Sequence, residues 1–436
     1  MKPFRIVNAR IVTSQAIIEG DLLIDPPYIV EVGEVNKTTD LVFDAGGNYV
    51  LPGAIDLHVH FRQPGLEHKA TIETESRAAL RGGVTSFIDM PNTKPETTTL
   101  QAWEKKMEIA KNTSWINYAF YPGVTPRNLN ELSNWTEHSH IPAVKAFLAR
   151  STGDLLITMD EFEQLLTLIK IPVAVHSELD SIVMENIKKY YGEFFPDIHY
   201  YVRPPEACYE ATDQVIKLSK KYGKQVHILH LSTKEEIEML KKHKPETVSI
   251  ETCPQYLFFD LQDYYHLGNQ IKCNPSVKQE EDRQTLLKAL NSVIDTIGTD
   301  HAPHLIAEKV LPYWKSPSGI PSVELLIPLL TLLVENEVIS WTRLVQLTST
   351  NPAKIYKIHK RGDIAEGMYA DIVVLEHSPW IVKRSFHKCG WNPYFNWTLP
   401  YQVKYAFVNG SLAYKEENNP EWISRNPMPL EFRVLQ

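Results

Sequence analysis

The chain has 436 residues, enough for one large catalytic domain and a smaller one, and its 45 basic and 53 acidic residues give a net charge of −8. Without a long basic run, this balance argues against nucleic acid and an anionic membrane as partners and favours a small-molecule substrate. We expect a cytoplasmic protein, since the N-terminus has no apolar signal core and no apolar stretch could span a bilayer.

The first 50 residues contain short runs of alternating apolar and polar residues, such as 5–7 and 22–24, with turn residues at 46–48. This alternation predicts short strands and leaves no room for a helix of useful length. We therefore expect the segment 1–50 to contribute strands to a small β domain.

Between residues 51 and 358, apolar runs alternate with amphipathic stretches, as is typical of parallel strands joined by crossover helices. Eight strands are predicted, at 54–60, 84–90, 116–121, 143–147, 172–176, 225–231, 247–252 and 293–299. Helices are predicted between them at 71–81, 99–111, 159–169, 207–222, 234–243 and 280–290. Eight such strands favour a closed (β/α)8 barrel, and no Gly-x-Gly-x-x-Gly turn follows the first strand to suggest dinucleotide binding.

After a helical region at 322–357, the chain returns to short strands, including 371–375 and 403–408. Because both ends of the chain are β, we predict one small β-sandwich built from 1–50 and 359–436, with the barrel at 51–358 inserted between them. The predicted fold class is therefore α/β, a TIM-like barrel with a β-sandwich domain.

His58 and His60 end the first predicted barrel strand with one residue between them. Alternate side chains of a strand share a face, so both imidazoles can serve as ligands of one metal ion. Catalytic residues of such barrels lie at the C-terminal ends of the strands. Other metal-type residues have this placement, namely His176 at the fifth strand, His230 at the sixth and Asp300 after the eighth. The sequence therefore predicts a metal site at the barrel mouth.

Lys145 lies within the apolar run 143–147 of the fourth predicted strand. An ammonium group is costly to bury in such a place. Its neutral amine can instead react with carbon dioxide to give a carbamate, an anionic ligand with two oxygens that is able to bridge two cations. We therefore expect Lys145 to belong to the same metal site.

Five motifs in this chain resemble those of the dihydroorotases, within the amidohydrolase superfamily. They are PGAIDLHVHFR at 52–62, RGGVT at 81–85, DMPNT at 89–93, ETCPQYL at 251–257 and DHAPH at 300–304. The first motif alone indicates the superfamily, whereas Arg62, Asn92 and the DHAPH string narrow the resemblance to the dihydroorotases. The resemblance extends over essentially the full length.

The resemblance implies a binuclear zinc site with two Zn²⁺ ions per subunit. Its implied ligands are His58, His60 and Asp300 for one ion, His176 and His230 for the other, and a carboxylated Lys145 that bridges them. Many bacterial relatives of the same length use an Asp shortly after the lysine position. Here the next residues are Leu148, Ala149 and Arg150, so the lysine version matches better, with Asp154 as the alternative.

The resemblance also implies the reaction, the reversible cyclisation of N-carbamoyl-L-aspartate to L-dihydroorotate in de novo pyrimidine (UMP) biosynthesis. Asp300 would carry the proton between water and the leaving nitrogen. The implied substrate contacts are Arg62, Asn92 and His304 for the carboxylate, with Asn274 and the backbone near Ser318 and Gly319 for the ring. Where the family often has Asn-Pro-Pro, this chain has Asn274-Pro275-Ser276, a change that we expect to affect only the loop beyond Asn274.

Two other functions remain open. An allantoinase or a hydantoinase would share the metal ligands but would not need Arg62 to bind a ring carboxylate. A non-catalytic chain that acts as a scaffold for aspartate transcarbamoylase would typically have lost metal ligands, and all of them are present here. We expect a homodimer, and a complex with aspartate transcarbamoylase is compatible with activity.

Seven further histidines lie in polar or loop-like sequence contexts. Such contexts predict exposed side chains. These residues are His68, His138, His140, His199, His243, His266 and His387.

Overall fold

The computed structural model describes residues 2–135, 138–151, 154–417 and 419–432, and it confirms the predicted barrel with a β-sandwich. The N-terminal strands are β1 (Phe4–Val12), β2 (Ile17–Asp25), β3 (Tyr28–Gly33), β4 (Leu41–Asp44) and β5 (Tyr49–Pro52). The barrel strands are β6 (Ala54–Val59), β7 (Val84–Asp89), β8 (Asn117–Phe120), β9 (Val144–Phe147), β10 (Val173–His176), β11 (Val226–Ile228), β12 (Val248–Thr252) and β13 (Thr296–Ile297). The C-terminal strands are β14 (Ile372–Ile381), β15 (Thr398–Val408), β16 (Ser411–Glu416) and β17 (Pro420–Trp422).

The β-sandwich domain contains nine strands from both ends of the chain, and these strands are connected in one continuous hydrogen-bonded sheet. Its order is β17-β16-β15-β14-β5-β1-β2-β3, with β4 paired to β1. The strands β5 and β14, which come from opposite ends of the chain, pair in antiparallel fashion. Buried side chains from both ends, including Phe4, Ile6, Ile372 and Phe407, form its own hydrophobic core.

The α-helices are α1 (Ile72–Arg81), α2 (Leu100–Thr113), α3 (Leu129–Trp135), α4 (Met159–Leu168), α5 (Asp180–Tyr190), α6 (Ile198–Val202), α7 (Pro205–Tyr222), α8 (Lys234–His243), α9 (Pro254–Phe258), α10 (Tyr264–Leu267), α11 (Glu280–Ala289), α12 (Ile306–Lys309), α13 (Leu326–Glu335), α14 (Trp341–Val345) and α15 (Asn351–Ile355). All six predicted helices are present. Threonine capping boxes begin three of them, at Thr71, Thr158 and Thr233, where the threonine side chain accepts a hydrogen bond from the first turn. Within the described ranges, no helix combines the length and apolarity required to cross a membrane.

The barrel strands form two hydrogen-bonded groups, β6-β7-β8 and β9 to β13, and the barrel closes where these groups meet. We call the junction of β6 with residues 299–301, which follow β13, the Asp56 seam. The carboxylate of Asp56 accepts hydrogen bonds across it from the backbone nitrogen of Thr299 at 3.1 Å and from its hydroxyl at 2.6 Å. The backbone nitrogen of His60 donates to the His301 carbonyl at 2.7 Å. These contacts bring the end of β6 next to Asp300.

A buried ion pair supports the loop that follows His60. Lys106 Nζ of α2 lies 2.5 Å from Asp89 Oδ2 at the end of β7, and both side chains are fully buried. The other oxygen of Asp89 accepts a hydrogen bond from the backbone nitrogen of Phe61 at 2.7 Å. The pair therefore connects α2, β7 and the residue directly after His60.

Replacing Lys106 by Met should lower the free energy of unfolding by about 3–5 kcal/mol, because it leaves a buried carboxylate without its cation. Urea denaturation followed by circular dichroism measures this change. Lys111→Met is the matched control, since Lys111 is exposed on the same helix, and it should stay within about 0.5 kcal/mol of the wild type. Equal denaturation midpoints for the two variants would contradict the structural role of the pair.

Candidate active site

The structure brings five of the candidate metal ligands together at the C-terminal mouth of the barrel. A small pocket lies there. Its lining includes His58, His60, His176, His230 and Asp300, together with Arg62, Asn92, Asn274, Ser318 and Gly319. The remaining candidates, Lys145 and His304, are buried at 0% and 2% exposure.

His58, His60 and Asp300 form the first group of candidate ligands. The Nε2 atoms of both histidines lie 3.1 Å from Asp300 Oδ1. Each Nδ1 atom can donate a hydrogen bond at 2.7 Å, from His58 to Glu251 and from His60 to Asn92, which leaves the Nε2 lone pairs free. A tetrahedral zinc ion with ligands at 2.0–2.1 Å would set its ligand atoms about 3.3 Å apart. The observed separations fit such an ion.

His176 and His230 form the second group. His176 Nδ1 lies 2.8 Å from His230 Nε2, and His176 Nε2 can donate to Glu178 at 2.8 Å. Glu178 is also paired with Arg203. Burial lowers the pKa of His176 and lowers that of His230 far more, which favours the neutral imidazoles that bind metals. The His58 and His230 ring centroids are 5.3 Å apart, so the two groups adjoin.

Lys145 has the environment that carbamate formation requires. Its Nζ atom is buried, and among the described residues it has no hydrogen-bond partner. Burial lowers the pKa of Lys145 to about 7, against the opposing effect of Asp300 and Glu251. A substantial fraction of the amine is therefore neutral and nucleophilic near neutral pH. Asp154 is exposed, in contrast to Lys145.

The carboxylates of the site remain ionised, so the site attracts a cation. Burial opposes ionisation of Asp300, but His58 and His60 outweigh it and hold the pKa of Asp300 well below its usual value. In the same way burial disfavours protonation of His58, yet Asp300 and Glu251 raise its pKa to about 9. A metal ion would take the place of the proton that these groups favour.

Three residues at the barrel mouth adopt left-handed backbone conformations that are rare for residues other than glycine. They are Arg62 at φ 67°, His230 at φ 42° and Asp300 at φ 48°. Each such conformation costs on the order of 1–3 kcal/mol and persists only where the surrounding structure enforces it. The fold therefore imposes the backbone geometry from which these side chains project.

Arg62 is a buried guanidinium beside the first ligand group. Its Nε atom donates to the Pro303 carbonyl at 3.1 Å, and its Nη2 atom lies 3.0 Å from His304 Nε2. Burial lowers the pKa of Arg62 to about 10, so the side chain still carries its charge at neutral pH. No carboxylate among the described residues forms an ion pair with it within 4.0 Å. The pocket therefore suits an anionic group of a ligand.

Asn274 is oriented by a histidine that the sequence analysis placed at the surface. His199 Nε2 donates to the Cys273 carbonyl at 2.8 Å and also lies 3.1 Å from Asn274 Oδ1, which can share this hydrogen. His199 Nδ1 accepts a hydrogen bond from the Tyr313 hydroxyl at 2.8 Å. His199 is only 3% exposed, so the surface prediction was wrong for it. This hydrogen-bond chain leaves the amide NH₂ of Asn274 available to the cavity.

Gly319 fits where a larger residue could not. Its φ is 146°, and a Cβ atom would lie 2.4 Å from the Ala302 carbonyl oxygen. Its backbone nitrogen donates to the Lys272 carbonyl at 2.9 Å, and its carbonyl accepts from Lys309 Nζ at 2.9 Å. The backbone groups of Gly319 thus bind protein partners, while the neighbouring Ser318 carbonyl accepts from His304 Nε2 at 3.0 Å.

A second group of metal-type side chains, Glu75, His301 and His387, lies elsewhere in the interior. His301 Nδ1 accepts a hydrogen bond from the backbone nitrogen of Ser322 at 3.0 Å, so its Nε2 atom carries the proton and donates to Glu75 at 2.9 Å. No lone pair of His301 is then left for a metal. His387 is 3% exposed and contacts Glu75, which corrects its predicted surface position. This group instead joins the segment around residue 387 to the barrel.

Glu251 and Glu178 are the functional candidates that the sequence analysis missed. Glu251 lies inside the buried strand β12 and Glu178 follows His176 by two residues, and both carboxylates are fully buried, where an acid needs a partner. That cost of burial was the available signal. Glu251 accepts a hydrogen bond from His58 Nδ1, and Glu178 accepts one from His176 Nε2. In each ring this is the nitrogen that does not face the other candidate ligands, so the carboxylate fixes the orientation of the ring.

Comparisons with known proteins agree with this geometry. The profile of the Amidohydrolase family matches residues 49–413. A dihydroorotase of Methanosphaera stadtmanae is 34% identical, over 87% of this chain and 88% of that protein. An allantoinase of Bacillus velezensis is 29% identical, over 94% and 93% of the two chains. Among solved structures, the L-hydantoinase (dihydropyrimidinase) of Arthrobacter aurescens superposes with a TM-score of 0.93 at 26% identity, covering 99% of this chain and 100% of that one.

Proposed function

This chain belongs to the amidohydrolase family and is a cyclic amide hydrolase, and from that premise we propose that it interconverts N-carbamoyl-L-aspartate and L-dihydroorotate in pyrimidine biosynthesis. The observation that supports this substrate is Arg62, a buried cation beside the candidate metal ligands with no carboxylate partner among the described residues. The planar guanidinium group of Arg62 can donate two parallel hydrogen bonds to the two oxygens of a carboxylate. Dihydroorotate carries a carboxylate on its ring, whereas allantoin and unsubstituted hydantoin do not.

The residues present fit a pair of divalent cations, which we propose to be zinc. His58, His60 and Asp300 would hold one, His176 and His230 the other, and the carbamate of Lys145 would bridge them. When bound, such ions lower the pKa of water and polarise an amide carbonyl, which are two requirements for opening or closing a cyclic amide.

The protein's own groups supply proton transfer and orientation. Asp300, kept ionised by His58 and His60, would accept a proton at its carboxylate and return it to the ring nitrogen that leaves. In the biosynthetic direction, the same carboxylate moves the proton the other way. Arg62 and the amide of Asn92 would hold the ring carboxylate, and the NH₂ of Asn274 would donate to a ring carbonyl.

The purified, zinc-loaded protein tests this assignment directly. We expect kcat/KM for L-dihydroorotate to exceed the values for allantoin, hydantoin and 5,6-dihydrouracil, assayed side by side. Preference for allantoin or for an uncharged ring would assign another cyclic amidohydrolase activity. Absence of turnover on every ring, with two ions bound, would favour the scaffold alternative.

Arg62→Met should raise KM for dihydroorotate about ten- to a hundredfold, because it removes a charge-assisted contact to the substrate carboxylate. Zinc content should not change, since Arg62 is not a candidate ligand. Steady-state kinetics and metal analysis by mass spectrometry measure the two effects. An unchanged KM at full zinc content would remove Arg62 from the substrate site.

The homodimer and the complex with aspartate transcarbamoylase remain predictions of the resemblance. Light scattering coupled to size-exclusion chromatography measures the first. Co-elution with purified aspartate transcarbamoylase tests the second.

A further inference from the structure

Lys69 contacts the candidate substrate residue His304 from the loop that leads into α1. Its Nζ atom lies 2.9 Å from His304 Nδ1 and 2.8 Å from Glu308 Oε1, and the side chain is 11% exposed. An ammonium group can only donate hydrogen bonds, so His304 Nδ1 must accept here. The proton of the neutral His304 ring must therefore lie on Nε2. Burial and the nearby charges of Arg62 and Lys69 hold the pKa of His304 far below its usual value, which keeps the ring neutral.

The position of this proton decides which groups Arg62 can bind. His304 Nε2 lies 3.0 Å from both the Ser318 carbonyl oxygen and Arg62 Nη2. With its proton on Nε2, His304 donates to the Ser318 carbonyl and offers no lone pair to Arg62. Both ring nitrogens then bind protein groups, so His304 would act on the substrate carboxylate through Arg62 rather than by direct contact. In the other tautomer, Nε2 would accept a hydrogen bond from Arg62 and occupy one arm of the guanidinium fork.

We infer that Lys69 is a positioning residue that fixes the His304 tautomer, keeps Nη2 of Arg62 available and thereby selects ring substrates that carry a carboxylate. This inference rests on the proposed function. The local charge points the same way, since the side chains of Arg62 and Lys69 both lie against His304 and Lys69 is paired with one carboxylate, Glu308. An anion is therefore favoured over an uncharged ring at this position.

Two ligands that differ in one carboxylate separate this role from a structural one. N-carbamoyl-β-alanine lacks only the α-carboxylate of N-carbamoyl-L-aspartate, the group that becomes the ring carboxylate. Lys69→Met should raise KM for N-carbamoyl-L-aspartate about ten- to a hundredfold and leave kcat close to the wild-type value. The inhibition constant of N-carbamoyl-β-alanine should not change. Lys69→Arg, which keeps a charged donor, should recover most of the lost affinity.

Lys388→Met is the matched control. Lys388 Nζ donates to the Glu67 carbonyl on the same loop at 2.6 Å and, within the described part of the chain, forms no hydrogen bond with His304, so both constants should stay at wild-type values. The inference is overturned if Lys69→Met leaves KM unchanged or weakens both ligands equally. A wild-type enzyme that binds the two ligands equally well overturns the proposed substrate instead, whatever Lys69 does.

The tautomer can also be measured without any turnover. Ring ¹⁵N chemical shifts of histidine-labelled protein show which nitrogen carries the proton, and a His304→Asn variant assigns the signals. We expect the proton on Nε2 in the wild type and on Nδ1 in a larger fraction of Lys69→Met molecules. A wild-type His304 with its proton on Nδ1 overturns the inference, even if the Lys69 variants fail to fold.

Discussion

Replacement of Lys145 by Ala is expected to lower kcat/KM for dihydroorotate at least about a thousandfold, because the variant loses the anionic group proposed to bridge two cations. Zinc content should fall below two ions per chain. The buried Nζ atom has no other partner among the described residues, so its removal breaks no protein hydrogen bond and the fold should survive. Metal analysis and circular dichroism separate these effects from unfolding.

Short carboxylic acids provide the sharpest test of this role. In Lys145→Ala, acetate or propionate can enter the space of the missing side chain and supply two oxygens, so part of the activity should return. Lys145→Met fills the same space without a ligand and should not respond to acid. Full activity of Lys145→Ala, or equal rescue of both variants, would show that the lysine does not act through a carboxylate.

Asp300→Asn is expected to reduce kcat about 10³- to 10⁴-fold, because the amide keeps the shape of the side chain but cannot take up a proton. The folded carboxyl has its pKa held below the usual value, so wild-type activity that depends on ionised Asp300 should be lost only as the pH falls through that low value. A pH–rate profile and zinc analysis of both proteins measure the difference. An Asn variant that retains a tenth of the activity would assign proton transfer to another group.

The sequence predicted the barrel well because its signals are local and repeated. Runs of apolar residues separated by amphipathic stretches identify parallel strands joined by helices. The two-residue spacing of His58 and His60 fixes their relative direction for the same local reason. Residues that are far apart in the chain come together at the barrel mouth when they lie at the C-terminal ends of barrel strands.

The orientation of side chains within the site could not be predicted in this way, since it depends on contacts between distant segments. The burial of His199 follows from Tyr313 and Asn274, and no local pattern indicates either contact. The left-handed backbone at Arg62 is likewise unexpected for an arginine. The tautomer of His304 depends on Lys69, which is far from it in the chain.

The position of the Asp56 seam gives the proposed metal ions a role in the stability of the closed barrel. His58 and His60 stand on one side of it and Asp300 on the other, and the side-chain bonds from Asp56 to Thr299 take the place of a regular strand ladder. An ion shared by these ligands would link the two sides of this junction, where the regular strand ladder is interrupted. Ligand binding stabilises a fold by mass action, so protein stripped of metal by a chelator should unfold at a lower temperature than the zinc-loaded protein.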